Sequence, residues 1–247
     1  MKKIISFIIV FVIFINIAFS QSIIPSWFEN IPEACSGTML AVGYSGRYQD
    51  KNLAKQVAIN HALRIMSKQK QIELIFEVEE LADGRLRLLL PTFEEFFEES
   101  ILGQISKHYK LVDSLSTEEG YFVLISYPHC KPVSLGSSGE KLWSSRPKWT
   151  KSLPRSDEYV YGMGMVGRYS SWVRAWKDAD EYARFDLGKN IRVETESIHA
   201  IERDNRFLKE SKIIRQSYDM TLYDSVIVSR WYDADNDTYY SLCKAKK

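Results

Sequence analysis

The chain of 247 residues contains the same series of short phrases twice, and this repeat constrains its fold more than any other feature. The phrase "PSWFENIP" at 25–32 returns as "PKWTKSLP" at 147–154, with both prolines and the tryptophan kept. The phrase "AVGYSGRY" at 41–48 returns as "GMGMVGRY" at 162–169, with two glycines, the arginine and the final tyrosine kept. A repeat in fixed order predicts one supersecondary unit that is built twice.

The same alignment continues beyond these phrases. Three alanines of the first copy coincide with three of the second: Ala54, Ala58 and Ala62 with Ala175, Ala179 and Ala183. Alanine at every fourth position lies on one face of a helix, where small side chains let the helix axis come close to what it covers. We expect the covered element to be a sheet of the same copy. Further on, "YFVL" at 121–124 matches "YYSL" at 239–242.

Both copies predict the same order of elements. Each begins with an extended lead-in, because the residue before a proline avoids the helical region. A strand with internal glycines follows, where glycine indicates the close approach of another backbone or a bulge. We then expect a long helix, over about 50–70 in the first copy and about 171–188 in the second. After the helix, "QIELIFEVEE" at 71–80 and "NIRVETESI" at 190–198 alternate as strands do.

The last part of each copy contains short elements and a closing hairpin. In the first copy we expect a turn at 82–84, a strand in "RLRLLL" and an amphipathic acidic helix in "TFEEFFEES" at 92–100. In the second, "DNRFLKESKIIRQ" at 204–216 has the same helical possibility. Both copies end in two strands joined by a short polar turn, which must be antiparallel. The predicted class is α+β, with two tandem copies of a small domain, each one long helix packed on a mainly antiparallel sheet.

Residues 1–20 are a predicted secretory signal, because Lys2 and Lys3 precede an apolar run that ends in small residues. The run is short for a membrane span, so we expect cleavage before Gln21. No cysteine directly follows the run, and we expect no lipid on the chain. The predicted location is the periplasm or the cell envelope, peripheral to a membrane at most.

The mature chain divides at the segment 130–146, whose Ser, Gly, Lys and Pro content is typical of a linker. Trp143 within it indicates that part of the linker packs on a domain. The first predicted domain is 21–129 and the second is 147–247.

Composition and charge exclude some classes of partner. Loss of the two signal lysines changes the formal net charge from +1 to −1, which argues against a nucleic acid. The three cysteines are an odd number, so at least one thiol is left without a partner in the chain. We favour a disulfide between Cys35 and Cys130, which flank the first copy; the remaining thiol is unpaired or pairs with another molecule.

The repeated residues resemble a known family. Pro25 and Trp27 in a Pro-x-Trp run, a glycine-containing strand, an alanine-spaced helix and a closing hairpin of the "Y-V-L" kind resemble the LPP-twenty family of bacterial outer-membrane and periplasmic lipoproteins. The resemblance covers nearly the whole mature chain, once per copy. It implies a helix on a largely antiparallel sheet and an exported structural or surface role, with no catalytic residues to transfer. Two copies and the missing acylated cysteine depart from the family pattern.

The phrase at 162–169 also reads Gly-x-Gly-x-x-Gly between a strand and a helix, where a dinucleotide-binding loop would lie. Such a loop needs all three glycines, and the first copy has Ala41 at the first place. We therefore predict no nucleotide and no other cofactor. In the structural interpretation, Gly46 and Gly167 permit a positive φ at the strand exit. The predicted helix caps are Asp50 and either Ser170 or Ser171.

The repeated polar residues at the strand exits are the candidate partner-binding residues, namely Arg47, Tyr48, Arg168 and Tyr169. An arginine near a helix N-terminus opposes the helix dipole. We expect Arg47 and Arg168 to point away from the helix or to find a carboxylate. Repetition in a duplicated fold also has a purely structural interpretation. The binding interpretation and the structural one both stay open.

No metal site is predicted. The run "DADND" at 233–237 spaces carboxylates like a calcium loop, but Thr238 and Lys244 replace the required glycine and glutamate. We interpret it as a hairpin turn. His129 beside Cys130 lacks the further ligands of a tetrahedral site.

The aromatic residues outside the repeat loop have structural interpretations too. Phe93, Phe96 and Phe97 could bind a partner, but we expect an amphipathic helix that turns them toward its own core. Trp27 and Trp149 could stack on a sugar, and we expect them to close the core instead.

These observations predict an exported, non-enzymatic scaffold or binding module whose partner is an envelope protein or polymer. One alternative is an enzyme acting on an envelope polymer, and another is a component of a surface or motility assembly. Catalysis ranks lower because the linker has no Gly-x-Ser-x-Gly elbow and no histidine is repeated between the copies.

Overall fold

The computed structural model of the chain describes residues 24–80, 86–88, 94–128, 140–141, 143–167, 171–202 and 214–247. The elements of the first half are β1 (Ile24–Pro25), α1 (Ser26–Glu29), β2 (Met39–Ser45), α2 (Lys51–Lys70), β3 (Gln71–Glu80), β4 (Leu86–Leu88), β5 (Glu94–Phe96), α3 (Glu99–His108), β6 (Lys110–Ser116) and β7 (Tyr121–Tyr127). Those of the second are β8 (Glu140–Lys141), a 3₁₀ turn (Lys148–Thr150), β9 (Tyr159–Gly167), α4 (Trp172–Glu202), β10 (Ile214–Tyr223), β11 (Val226–Asp233) and β12 (Thr238–Lys246). The class is α+β and the paired strands run antiparallel, as predicted.

Two three-stranded sheets have matching strand orders, β2-β7-β6 and β9-β12-β11. Gly43 in β2 lies opposite Val123, and Gly164 in β9 lies opposite Ser241. Strands β6 and β11 each have a register shift directly after their first two residues. Order, direction and register relative to the repeated glycines are therefore the same in the two sheets.

A helix covers each of these sheets at unusually short range. Helix α2 lies on β2 and β7, and α4 lies on β9 and β12. The six repeated alanines are buried on the helix faces that touch the sheets. A Cβ atom on Gly43 would lie 2.0 Å from the carbonyl oxygen of Ala58, and one on Gly164 would lie 1.9 Å from that of Ala179. Of the two predicted meanings of the strand glycines, the close approach of another backbone is confirmed at Gly43 and Gly164.

Phe28 of α1 lies at the centre of a core that both halves build. Its ring packs edge-on against Tyr44 and Phe122 of the first half, with centroid distances of 5.4 and 5.0 Å. It packs in the same way against Trp176 of α4 at 5.3 Å. Trp143 adds a further contact at 6.1 Å, so part of the predicted linker does pack back. The first lead-in is thus enclosed by residues of both halves.

The remaining large sheet takes strands from both halves. Strand β10 pairs with β3, and β4 and β5 pair with the other side of β3. Leu74 and Phe76 on the inner face pack with Phe185 and Leu187 of α4. Helix α4 therefore lies between this sheet and β9, and the halves share a sheet as well as a core.

The strand predicted at 190–198 is wrong, because these residues continue α4. Gly188 was the expected end of the helix. It instead lies where the third sheet approaches closely, since a Cβ atom there would meet Met220 Sδ at 2.9 Å and Leu74 Cδ1 at 3.2 Å. Glycine at this position makes room for a neighbour and does not stop the helix.

The fully extended lead-ins are also wrong. Pro25 and Pro147 have extended dihedrals, but each precedes a helical turn, α1 or the 3₁₀ turn. A proline restricts the residue before it, and its own fixed φ suits a helix start. Trp27 is buried as expected, whereas Trp149 is half-buried.

The amphipathic helix predicted at 92–100 is wrong as well. Its centre is the short strand β5, and α3 begins only at Glu99. Phe96 is 46% exposed, so it does not face the core. The side chain that β5 buries is Glu95, which pairs with Arg184. Phe93 lies outside the described residues.

The predicted helix starts are confirmed by their caps. The Asp50 side chain accepts a hydrogen bond from the backbone of Asn52 at 2.8 Å. The Ser171 hydroxyl accepts one from the backbone of Arg174 at 3.2 Å. The positive φ expected at the repeated glycines is wrong, because Gly167 ends β9 in extended conformation and Gly46 has no positive φ either.

Two of the three cysteines lie in the described residues. Cys35 is disulfide-bonded and Cys243 is a buried free thiol. Cys130, the predicted partner of Cys35, lies outside the described residues. The predicted signal, the turn at 82–84 and residues 204–213 lie outside them as well. Among the described helices, none is both long and apolar enough to cross a membrane.

We expect Gly164→Ala to lower the free energy of unfolding by about 3 kcal/mol, the upper end of overpacking costs, because the new methyl group would meet helix backbone. Gly167→Ala in the same strand is the matched control, since nothing lies within 4 Å of its Cβ position. That variant should stay within about 0.5 kcal/mol of the wild type. Urea unfolding followed by circular dichroism measures both, and equal midpoints would contradict the close contact.

Candidate functional site

A surface cavity of about 410 Å³ opens where three segments from the two halves meet. The first segment follows β2, the second is the turn between β6 and β7, and the third is the start of α4. The lining residues are Gly46, Arg47, Tyr48, Glu119, Ser171, Trp172 and Val173. We call this space the seam cavity. Residues far apart in the chain thus contribute to one opening.

The wall at Trp172 is fixed by stacked aromatic rings. Trp172 stacks on Phe122 of β7 with a centroid distance of 5.6 Å and an interplanar angle of 25°, and it lies 5.9 Å from Tyr44. The neighbouring turn fits because Gly120 has no side chain, as a Cβ atom there would lie 2.0 Å from the Ser45 carbonyl oxygen. The aromatic wall is therefore held in place before any ligand arrives.

The polar part of the lining is held by a tight turn. The Thr117 hydroxyl accepts hydrogen bonds from the backbones of Glu119 and Gly120, both at 3.2 Å. Arg47 Nε donates to the backbone carbonyl of Glu118 at 2.7 Å. Tyr48 beside it is 42% exposed. The cavity therefore offers an arginine, an acid and aromatic surface to solvent.

Two of the four candidate residues, Arg47 and Tyr48, lie in this cavity. We expected Arg47 to point away from the helix or to find a carboxylate; its Nε donates to the Glu118 carbonyl instead of a carboxylate. Arg168 and Tyr169 lie outside the described residues. Trp172 was not among the predicted site residues, although it lies just before the repeated alanine face of α4.

Helix α4 fills the space beside Gly162 and Gly164 of the phrase at 162–169. A Cβ atom on Gly162 would lie 2.1 Å from the backbone nitrogen of Leu187, and Gly164 touches Ala179 in the same way. A dinucleotide loop needs its glycine amides to face a pyrophosphate. These glycines face helix backbone, which favours the structural interpretation.

The acidic run at 233–237 is a hairpin turn, as predicted. It joins β11 to β12, and the Asp233 carboxylate accepts hydrogen bonds from the backbones of Asp235 and Asn236 at 3.2 and 3.3 Å. Among the described residues, no three His, Cys, Asp or Glu side chains come together as a metal site would require. His129 and Cys130 lie outside those residues.

A buried ion pair joins α4 to β11 and was not predicted from the sequence. Arg230 is 0% exposed, and its Nε and Nη2 donate to the two oxygens of Asp180 at 3.1 and 2.8 Å. Ser241 Oγ donates to the same carboxylate at 2.6 Å. Burial and the nearby Asp180 charge raise the pKa of Tyr44 well above its usual value. The only available signal was one arginine in an otherwise apolar part of β11.

A second buried charge cluster attaches β5 to both long helices. Arg184 of α4 donates two hydrogen bonds to Glu95, at 2.6 and 3.0 Å, and Lys68 of α2 donates another. Burial alone would raise the pKa of Glu95, but the charges and hydrogen bonds of Arg184 and Lys68 outweigh it and hold the pKa below its usual range. Glu95 therefore stays ionised at neutral pH.

No protein-family model, curated protein or solved structure matches this chain. The resemblance to the LPP-twenty family stays a prediction from the repeated residues. Function is therefore inferred from the seam cavity and its lining.

We expect Asp180→Ala to lower the free energy of unfolding by about 3–5 kcal/mol, because it leaves the Arg230 charge buried without a partner. Asp178→Ala is the matched control on the same helix. Asp178 pairs at 3.7 Å with Arg174, whose side chain is largely exposed, so its loss should cost at most about 0.5 kcal/mol. Denaturant unfolding compares the two variants, and equal effects would contradict the buried pair.

Glu95 should make stability depend on acid pH. A carboxyl group whose folded pKa is lowered stabilises the fold above its unfolded pKa, and this contribution is lost as pH falls through the folded pKa. We expect Glu95→Gln to cost stability at pH 7 and the difference from wild type to shrink below the ordinary glutamate value of 4.5. Free energies of unfolding measured across this range test the trend. A difference independent of pH would contradict it.

Proposed function

We propose that this protein is an exported, non-enzymatic binding module of the cell envelope, and that the seam cavity holds part of an envelope protein or polymer. The observation that carries the proposal is the cavity itself, with an exposed tyrosine and an immobilised tryptophan beside an arginine and an acid. Its volume of about 410 Å³ falls in the ordinary range for ligand pockets.

The mixture of groups in the cavity suits a neutral or weakly charged ligand with both apolar and polar faces. Trp172 and Tyr48 supply flat apolar surface, which binds at low entropic cost because Trp172 is already stacked. Arg47 and Glu119 supply a donor and an acceptor on the same lining. Sugar units of an envelope polymer and aromatic or amide groups of a protein both have this character.

Binding is favoured over turnover of an envelope polymer by where the perturbed acid–base groups lie. Catalytic groups with shifted pKa values are expected in a cleft. Tyr44, Glu95 and Cys243 have shifted pKa values, and burial raises that of the Cys243 thiol to about 12. These three side chains are packed inside the protein. Shifted pKa values also occur at His61, Lys177, Asp178, Glu181 and Arg184, some of them partly exposed, and none of these groups lines the cavity.

The proposal includes an origin by internal duplication with the domain limits 21–129 and 147–247. Support comes from the matching orders and registers of the two three-stranded sheets and from the glycine and alanine contacts under both helices. The LPP-twenty resemblance, the cleaved signal at 1–20 and the envelope location belong to the same proposal.

Site-specific photo-crosslinking tests the binding role. Tyr48 is replaced by p-benzoylphenylalanine in the full chain, expressed with its signal in its native cell, and adducts are identified by mass spectrometry after protease and muramidase digestion. The same probe at Leu111 is the control, because Leu111 is 39% exposed against 42% for Tyr48 and lies outside the cavity.

We expect one dominant adduct from position 48, which weakens when Trp172→Ala is added, and none from position 111. Equal adducts from the two positions, or no adduct from position 48, would contradict the proposal. Release of shortened polymer fragments by the purified protein would favour the enzyme instead.

A further inference from the structure

The outer strands of the two three-stranded sheets are covered by other parts of the chain. An open edge strand pairs readily with other strands, so proteins usually block it. In β2, the backbone amide of Tyr44 donates to His61 Nδ1 of α2 at 3.2 Å. In β9, the amide of Met163 donates to Asp186 at 3.0 Å, and Asn190 donates to the carbonyl of Tyr161 at 2.8 Å.

The other two edges of these sheets are covered by the first lead-in and by a side chain of the strand itself. In β6, Asp113 accepts hydrogen bonds from the backbone of Ser114 at 2.7 Å and from Trp27 Nε1 at 2.8 Å. In β11, the carbonyl of Val228 accepts a hydrogen bond from the backbone of Ile31 at 3.1 Å. On each of the four edges, at least one outward backbone group is therefore already hydrogen-bonded within the chain and cannot pair with an added strand.

Strand β10 is the exception. It forms ten consecutive pairs with β3 without a register shift. Within the described part of the chain, it has a strand on one side only, and no backbone hydrogen bond from outside the sheet reaches its other edge. It contains no proline, and β4 and β5 on the opposite side of β3 are only three residues each. A long, regular and uncovered edge is a template for an added strand.

The sequence of β10 is complementary to itself when two copies run antiparallel about Ser217. Position 215 of one copy then falls opposite position 219 of the other, an arginine opposite an aspartate, twice in the pair. Position 214 falls opposite 220, isoleucine opposite methionine. No like charges meet over 214–220, and cross-strand pairs of opposite charge or of apolar residues stabilise a sheet.

We propose that the partner of β10 is a second copy of this chain, paired antiparallel about a twofold axis at Ser217. The two sheets that contain β3 and β10 then become one continuous sheet across the dimer. Such an interface is isologous and closes on itself, so it ends at two copies and builds no filament. It does not depend on the seam cavity.

Sedimentation equilibrium of the mature chain tests the dimer. We expect a dissociation constant on the order of 10 μM, because a strand pair buries less surface than a standard interface. Asp219→Arg places arginine opposite arginine, and we expect it to weaken association by about tenfold or more. Arg215→Asp should do the same. The double variant restores opposite charges and should recover association, with circular dichroism confirming the fold of each.

Cysteine crosslinking tests the register independently of charge. Ser217→Cys places two thiols at opposite positions, with Cβ atoms about 5 Å apart, and should form a disulfide-linked dimer. Thr221→Cys on the same strand is the control, because its two copies would lie roughly 25 Å apart and should not crosslink. The pairing is overturned by a monomer at about 100 μM, by single charge reversals without effect, or by equal crosslinking at positions 217 and 221.

Discussion

The packing of Phe28 over the buried Arg230–Asp180 pair holds the two halves together. The Arg230 guanidinium lies 5.0 Å from the Phe28 ring, and the ring itself touches Tyr44 and Trp176. Removing α1 would admit water to a charge pair that is otherwise enclosed, while separating β11 from α4 would leave two charges in an apolar core. Helix α1, helix α4 and the β11–β12 hairpin therefore depend on one another for stability.

The same arrangement determines how the seam cavity is built. Gly162 and Gly164 bring β9 into direct contact with the backbone of α4, so the helix and the strand are closely packed. The start of the helix, with Trp172, is thereby set against the turn at Gly120. A binding surface that is fixed in this way loses little conformational entropy when a ligand binds. Close backbone packing far from the opening thus contributes to the recognition proposed there.

Local patterns in the sequence predicted the parts of the fold that neighbouring residues determine. Helix α2, the closing hairpins and the glycine contacts with the alanine faces follow from periodicity and side-chain size, and the structure has them. The wrong predictions concern residues whose conformation depends on a segment distant in the sequence. Gly188 does not end α4, because the third sheet packs against it. The Glu95 side chain is buried because it pairs with Arg184 and Lys68. Of the candidate residues, only Arg47 and Tyr48 are described in the cavity. Its tryptophan wall depends on the stacking of Trp172 on Phe122, a contact between distant residues that no local pattern reveals.

The covering of β11 by residues just after α1 has a consequence for the order of folding. The Ser229 hydroxyl donates a hydrogen bond to Asn30 Oδ1 at 3.0 Å, across a sequence separation of 199 residues in a chain of 247. Contacts of this kind carry a large loop-closure entropy and slow the folding reaction. A ribosome-bound chain cannot complete its core until its last hairpin has emerged. The fold is thus completed only when the last hairpin is present, and until then Phe28 and Asn30 lack their contacts with Arg230 and Ser229.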